Sequence, residues 1–233
     1  MSSITKMITY IEHCVSKGLT KPDKNSYIHS DIIPTLLNDI KSIDKIKFGG
    51  FELPLLSQVN DERIKSNPPI VWTDIYKCHE HTYSLCIFRL FQGSNMILHD
   101  HPNINGINYL LSGSINHTSY NLLSQKDSQS NTFFAEKFKS ETFNIDDYII
   151  TSEHKNLHEF TAIKNTSILQ ILFPDYDDKT RICSYYKCIN TLNKNDYQNI
   201  KLTDNNTDLV ELQKILRPKD SWDINYPFDG VVE

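Results

Sequence analysis

From Phe51 onward the chain breaks into short runs of β-branched and aromatic residues, each closed off by Asn, Asp, Ser or Gly. The runs read YSLCIFRLF, INYLLSGSI, TFFAEKF, DYIITS, LHEFTAI and SILQILF. Such side chains suit a pleated surface, and polar punctuation every few residues leaves no room for long helices. Many short strands at close spacing predict a mainly β architecture, a barrel or sandwich. The first 45 residues follow another period. Ile4, Met7, Ile8, Ile11 and Val15 recur at helical spacing, as do Ile33, Leu36, Leu37 and Ile40, while Pro22 and Pro34 interrupt or start segments. This predicts two amphipathic helices over 1–45, packed on the barrel. The stretch SQKDSQSN, 124–131, reads as a hairpin loop or mobile insertion, and NDYQNIKLTDNNTDLVELQKIL as a loop followed by one helix. At 233 residues, 39% of them hydrophobic, the chain suffices for one well-buried core, so a single domain over 1–233 is expected.

Charge and cysteine content narrow the partners. A net charge of −5 with scattered lysines argues against nucleic acid and anionic membranes, which need clustered Lys and Arg to replace counterions. The start, MSSITKMITYIEH, has no long apolar run behind a basic segment, and nowhere do eighteen apolar residues follow one another, so a soluble, non-secreted chain is expected. Five cysteines spread through the chain do not form a disulfide framework. A reducing cytoplasm, with nuclear access, and a monomeric state are the expectations.

The segment GSNMILHDHPNINGINYLLSG, 93–113, carries His99 and His101 either side of Asp100. In a strand, residues i and i+2 face the same side, so both imidazoles would point inward and Asp100 away. A third metal ligand must then come from another strand, and His158 in NLHEFTAI shares a face with Phe160 and Ala162. Three neutral nitrogens with open positions suit Fe(II), Zn, Cu or Ni.

Gly93, five residues, His99-x-His101 and a closing Gly113 resemble the first cupin motif. The usual cupin glutamate, expected near Asn105 or Gly106, is absent, and the second motif is poor, its glycines and proline falling on Asp147, Glu153 and Lys155. A three-histidine site without a carboxylate is the departure that thiol dioxygenases show. LHDHPNINGINYLLSGS, NLHEFTA, ILFPDY and RICSYY occur in the order and approximate spacing of the plant cysteine oxidase and cysteamine dioxygenase family, which most of the chain resembles. The resemblance implies a cupin-type double-stranded β-helix, a jelly-roll barrel, with N-terminal α-helices. It also implies Fe(II) on His99, His101 and His158, and Tyr176 as the tyrosine of the family's Pro-Pro-Tyr, with Asp175 in place of the second proline. Cys183 and Tyr185 match a pair that cross-links in some members. Gln170 replaces a family aspartate, exchanging a carboxylate able to pair with a substrate ammonium for a neutral amide.

Three neutral ligands leave the metal's +2 charge uncompensated, which attracts a thiolate and keeps it deprotonated. Addition of both atoms of O2 to that sulfur gives the sulfinic acid. The expected substrate is an N-terminal cysteine of a peptide or protein, or a small aminothiol such as cysteamine. Asp175, Asp177 and Asp178 are expected to line a mouth that receives the chain. Free cysteine would call for a bidentate arginine on its carboxylate, and Arg89 in LCIFRLF is the candidate. A metal-binding cupin that senses rather than turns over, through Gln170, is the alternative. Of the remaining histidines, those of CHEH (78–81) lack a second ligand cluster, His154 is expected to be exposed, and His117 is expected at the surface or hydrogen-bonded.

Overall fold

Two helices open the chain, α1 (Ser3–Ser16) and α2 (Ile32–Lys41). The computed structural model describes residues 3–17, 32–42, 69–78, 82–127, 129–151, 154–218 and 223–225. After the helices come β1 (Ile70–Lys77), β2 (Ser84–Leu90), β3 (Asn95–His99), β4 (Asn105–Ser112), β5 (Ser114–Gln125), β6 (Thr132–Lys137) and β7 (Glu141–Asn144). Then follow β8 (Tyr148–Thr151), β9 (Leu157–Ala162), β10 (Thr166–Phe173), β11 (Tyr185–Thr191), β12 (Asp208–Ile215) and β13 (Asp223–Asn225). One sheet runs β13-β1-β2-β10-β4-β8 and the other β6-β12-β11-β3-β9-β5-β7. β6 also pairs with β5, which closes the second sheet on itself. This is a cupin-type double-stranded β-helix.

The layering explains why several runs are apolar throughout rather than alternating. β10 is buried at every position and β4 at all but its last, so their two faces meet different cores. Leu85, Ile87, Ile107, Tyr109, Leu169 and Ile171 face outward against Ile4, Met7, Ile11, Leu36 and Ile40 of the helices. The alternate residues Leu90, Leu110 and Ile168 pack inward against Ile115, Phe160 and Ala162 of the second sheet. A third cluster, including Leu98, Tyr120, Leu157, Tyr186, Val210 and Leu212, lies behind β3, β9 and β5 where β6 closes the ring. A helix of ten residues is marginal alone. At roughly 1.5–3 kcal/mol per buried large side chain, it is contact with the sheet that holds α2. No helix among the described residues is long and apolar enough to cross a membrane.

Two expectations change. The segment expected to end in a helix is strand β12, paired with β6 and β11 along its length. Leu209, Val210 and Leu212 are buried there, so pairing between two waiting edges overrides the helical pattern of Leu-Val-Glu-Leu. In the other, β3 ends at His99, and His101 lies past it in the turn that leads to β4. Pro102 lacks an N–H for the ladder, and Asn103 adopts φ 55°, so the strand cannot continue through the motif. Gly113, between β4 and β5, has φ +84°, and a Cβ there would lie 2.2 Å from the Asn165 carbonyl oxygen. A glycine is required at that corner.

Candidate metal centre

His99 closes β3 directly opposite His158 of β9, and His101 enters from the following turn. Each of the three offers a ring nitrogen, and these nitrogens lie within 4.8 Å of one another. The ring centroids form a near-equilateral triangle of 4.9, 4.8 and 4.7 Å. All three rings are buried. Burial disfavours the imidazolium: it lowers His99 to about 4 and holds His101 and His158 well below the usual histidine value. Near neutral pH the cluster is three uncharged imidazoles, the form that ligates a metal.

Each Nδ1 meets an oxygen, which leaves Nε2 to the cluster. His99 Nδ1 is 2.7 Å from the Ile97 carbonyl, His101 Nδ1 is 2.8 Å from the Tyr176 hydroxyl, and His158 Nδ1 is 3.5 Å from Thr151 Oγ1. Such outer contacts set ring orientation and tautomer. The turn carrying His101 is itself held by side chains. Asn156 donates from Nδ2 to the His101 carbonyl at 2.6 Å and accepts from the His101 N–H at 3.0 Å, standing in for the strand partner that Pro102 prevents. Asp100, turned away from the cluster, accepts from the Ser184 N–H at 2.7 Å and the Tyr186 hydroxyl at 2.9 Å, fastening the motif to β11. Asn156, Thr151 and Asp100 were not read as site residues in the sequence. Asn156 sits in the NLHEF motif, but nothing local shows which backbone it grips.

The donor set fits a divalent transition metal with open coordination positions, because three imidazoles occupy one side and no carboxylate joins the cluster among the described residues. Beside Tyr176 opens a cavity of about 460 Å³ lined by Lys77, Tyr176, Asp178, Arg181, Cys183 and Tyr185. Burial, together with the neighbouring Cys183, raises Tyr176 well above 10, so it stays a phenol. Cys183, close enough to hydrogen-bond both Tyr176 and Tyr185, is pushed up to about 11, first by burial and then by Asp100. Tyr185 pairs with His99 across β11 and β3. Tyr176, Cys183 and Tyr185 therefore share one wall.

Other predicted residues stand elsewhere. Gln170 faces the barrel interior, but its Nε2 donates to Asn108 Oδ1 at 2.8 Å and its Oε1 accepts from the Cys86 thiol at 3.8 Å. Its amide is engaged with neighbours rather than held open for a substrate amine. Arg89 donates to Thr73 at 3.0 Å and, two and four residues on from Ile87 and Leu85, shares the face on which these pack against the helices, so it lies on the opposite face of β2 from Cys86. Of the acidic residues expected at an open mouth, Asp175 is buried within 3.2 Å of Lys77, and Asp177 pairs with Arg181 at 2.8 Å while accepting from Lys179, Thr180 and Arg181 in its own turn. Only Asp178 lines the cavity without such ties among the contacts described. His154 is exposed and meets Asn121 at 3.1 Å. His117, in contrast, is buried, 5.5 Å from the His158 ring centre, with Nε2 unpartnered. Alternation along β5 turns it inward, where a surface or hydrogen-bonded position was expected. His79 and His81 of CHEH lie outside the described residues.

The PCO_ADO family profile matches residues 36–231, a span that includes all three histidines, Tyr176 and Cys183. The chain belongs to this family. Plant cysteine oxidase 2 of Arabidopsis thaliana is 29% identical over 138 residues, which are 57% of this chain and 49% of that protein. Plant cysteine oxidase 1 of the same plant is 28% identical over 127 residues, 52% and 43% of the two chains. The chain thus spans about half the length of these curated relatives. Among solved structures, a cupin superfamily protein from Desulfitobacterium hafniense shares 14% identity over 53% of this chain and 90% of its own, with a TM-score of 0.36. The three clustered histidines, which could hold a metal ion, lie within the span that the family profile matches.

Proposed function

We propose that the protein is an Fe(II)-dependent thiol dioxygenase that converts the N-terminal cysteine of a peptide or protein, or a small aminothiol such as cysteamine, to the sulfinic acid with O2 in the cytoplasm. The observation that carries it is the buried convergence of three neutral imidazoles, joined by no carboxylate among the described residues, in a chain of the PCO_ADO family. Iron bound there supplies the redox chemistry by which both atoms of O2 add to one sulfur, R–SH becoming R–SO2H. The protein's part is geometric and electrostatic. Three uncharged ligands leave the metal cationic and favour a thiolate over a thiol beside it. Tyr176 holds His101 and lines the neighbouring cavity, which can take the remainder of a substrate. Free cysteine is disfavoured, because Arg89 points to the helix side and Arg181 is already paired with Asp177.

The test is anaerobic loading with Fe(II), exposure of a Cys-initiated peptide to air, and mass analysis. A gain of two oxygen atoms is expected, with far less for the same peptide acetylated at its amine. Equal turnover of both peptides would refute recognition of the N-terminus. Iron retained without oxygenation of any thiol would favour a metal-binding, sensing protein instead.

A further inference from the structure

A smaller cavity lies across the histidine cluster from Tyr185. In that sheet, β11 flanks the β3–β9 pair on one side, and β5 and β7 flank it on the other. About 170 Å³ opens there between β7 and β8, the end strands of the two sheets. The cavity shares no lining residue with the one beside Tyr176, and none of the three cluster histidines lines it.

Two residues of β5 reach into it. His117 and Ser119 stand two apart and share a face, opposite Phe160 and His158 of β9. They are 7% and 4% exposed. His117 Nε2 has no hydrogen-bond partner, and none is described for the Ser119 hydroxyl. Buried polar groups are otherwise almost always paired, so two unpaired neighbours facing one cavity point to a ligand that completes them. The charges around them set its sign. Lys139 and Lys155 line the cavity without a carboxylate partner among the described ion pairs. Lys155 Nζ instead lies 4.5 Å from the centre of the Phe138 ring. Glu141 supplies the one carboxylate among the described lining residues. Two positive charges against one negative match a monoanion, whereas a cation meets the lysines and a dianion leaves one of its charges unmatched. Phe143 and Ile149 make the rest of the wall apolar, which suits a short hydrocarbon body.

We propose that this cavity binds a small monocarboxylate, held by Lys139, Lys155, Ser119 and His117, with its hydrocarbon part against Phe143 and Ile149. The site is separate from the histidine cluster but adjoins it. The His117 ring centre lies 5.5 Å from that of His158, and Ser119 stands opposite His158 across the β5–β9 ladder. An occupant therefore lies one layer of side chains from His158. The same carboxylate has two sources, a free acid or a thiol that carries an acid group of its own. The proposal does not rest on oxygenation of any thiol, and failure of that activity leaves it standing.

The experiment is a titration of isotope-labelled, zinc(II)-loaded full-length protein with butyrate, followed by amide proton–nitrogen NMR, with butyramide as the neutral isostere. Butyrate is expected to shift the amides of Ser119, Phe143 and Ile149, and butyramide to leave them unmoved. Lys155→Gln is expected to weaken butyrate binding about tenfold. Glu141→Gln, which removes the repelling charge, is expected to tighten it about two- to fivefold. If Lys155→Gln does not fold, Glu141→Gln carries the same test with the opposite sign. Absence of butyrate binding would overturn the proposal, as would equal binding of butyramide. Shifts confined to His99 and His101, unchanged in Lys155→Gln, would place the carboxylate on the zinc and overturn it too. β-Mercaptopropionate in place of butyrate tells the two sources apart. Shifts at both the cavity and the histidine cluster assign the carboxylate to a metal-bound thiol, and shifts at the cavity alone assign it to a free acid.

Discussion

Asn156→Ala removes the clamp on His101 while leaving every imidazole in place. The wild-type side chain makes two hydrogen bonds to the His101 backbone, 2.6 Å from its own Nδ2 and 3.0 Å to its own Oδ1. Each such bond contributes about 1 kcal/mol net, and a buried backbone group left without a partner costs about 1–3 kcal/mol. His101 is 1% exposed, so water does not readily replace the lost partner. The expected loss of stability is therefore about 2–4 kcal/mol, a large part of the roughly 5–15 kcal/mol typical of a domain. Metal binding suffers as well, because the metal must then order the Pro102 turn itself. At about 1.4 kcal/mol per factor of ten, an ordering cost of about 2 kcal/mol weakens affinity some thirtyfold. Asn156→Asp keeps an acceptor for the His101 N–H but sets an oxygen against the His101 carbonyl, and should fare no better than alanine. Urea denaturation and zinc competition against a chromophoric chelator measure the two effects. Unchanged midpoint and affinity in Asn156→Ala would refute the clamp, and lost stability with full affinity would show that it serves the fold alone.

His158→Ala should abolish retention of iron after desalting, since two remaining nitrogens do not hold a ferrous ion against buffer; full occupancy would mean that the third ligand lies elsewhere. Gln170→Glu, nearly isosteric, sets a carboxylate oxygen against Asn108 Oδ1 and should destabilise the protein by about 1–3 kcal/mol, seen as a lower urea midpoint. An unchanged midpoint would show that the Gln170–Asn108 bond contributes nothing. Glu136 is buried and accepts from Thr203, Asp204, Thr207 and Asn121. Burial opposes its charge, yet these donors hold its carboxyl below the ordinary 4.5. Because the folded value is the lower one, the stabilisation is complete above the unfolded value and is lost as pH falls through the folded one. Glu136→Gln should therefore lower the urea midpoint at pH 7, with the gap to wild type narrowing below about pH 4; a gap that is constant with pH would exclude the carboxylate as its source.

The strand runs, the two helices and the three histidines were legible in the sequence because each rests on a local property. Period two or 3.6 is set by backbone geometry, and a His-x-His beside a turn-forming proline stands out at any position. Tertiary pairing decided what periodicity leaves open. Leu209 to Leu212 carry a helical pattern and became a strand because β6 and β11 each offer an edge to pair with. Arg89 sits in a strand near the site in sequence, yet the alternation of β2 turns it toward the helices. Tyr176 meets His101 from seventy-five residues away and Gln170 meets Asn108 from sixty-two. Thr151 and Asn156 are ordinary polar residues until the barrel closes, and their roles follow from which buried donor or acceptor the fold leaves opposite each of them. A hydrogen bond needs its partner within about 3 Å, and for groups so far apart along the chain only the folded barrel sets that distance.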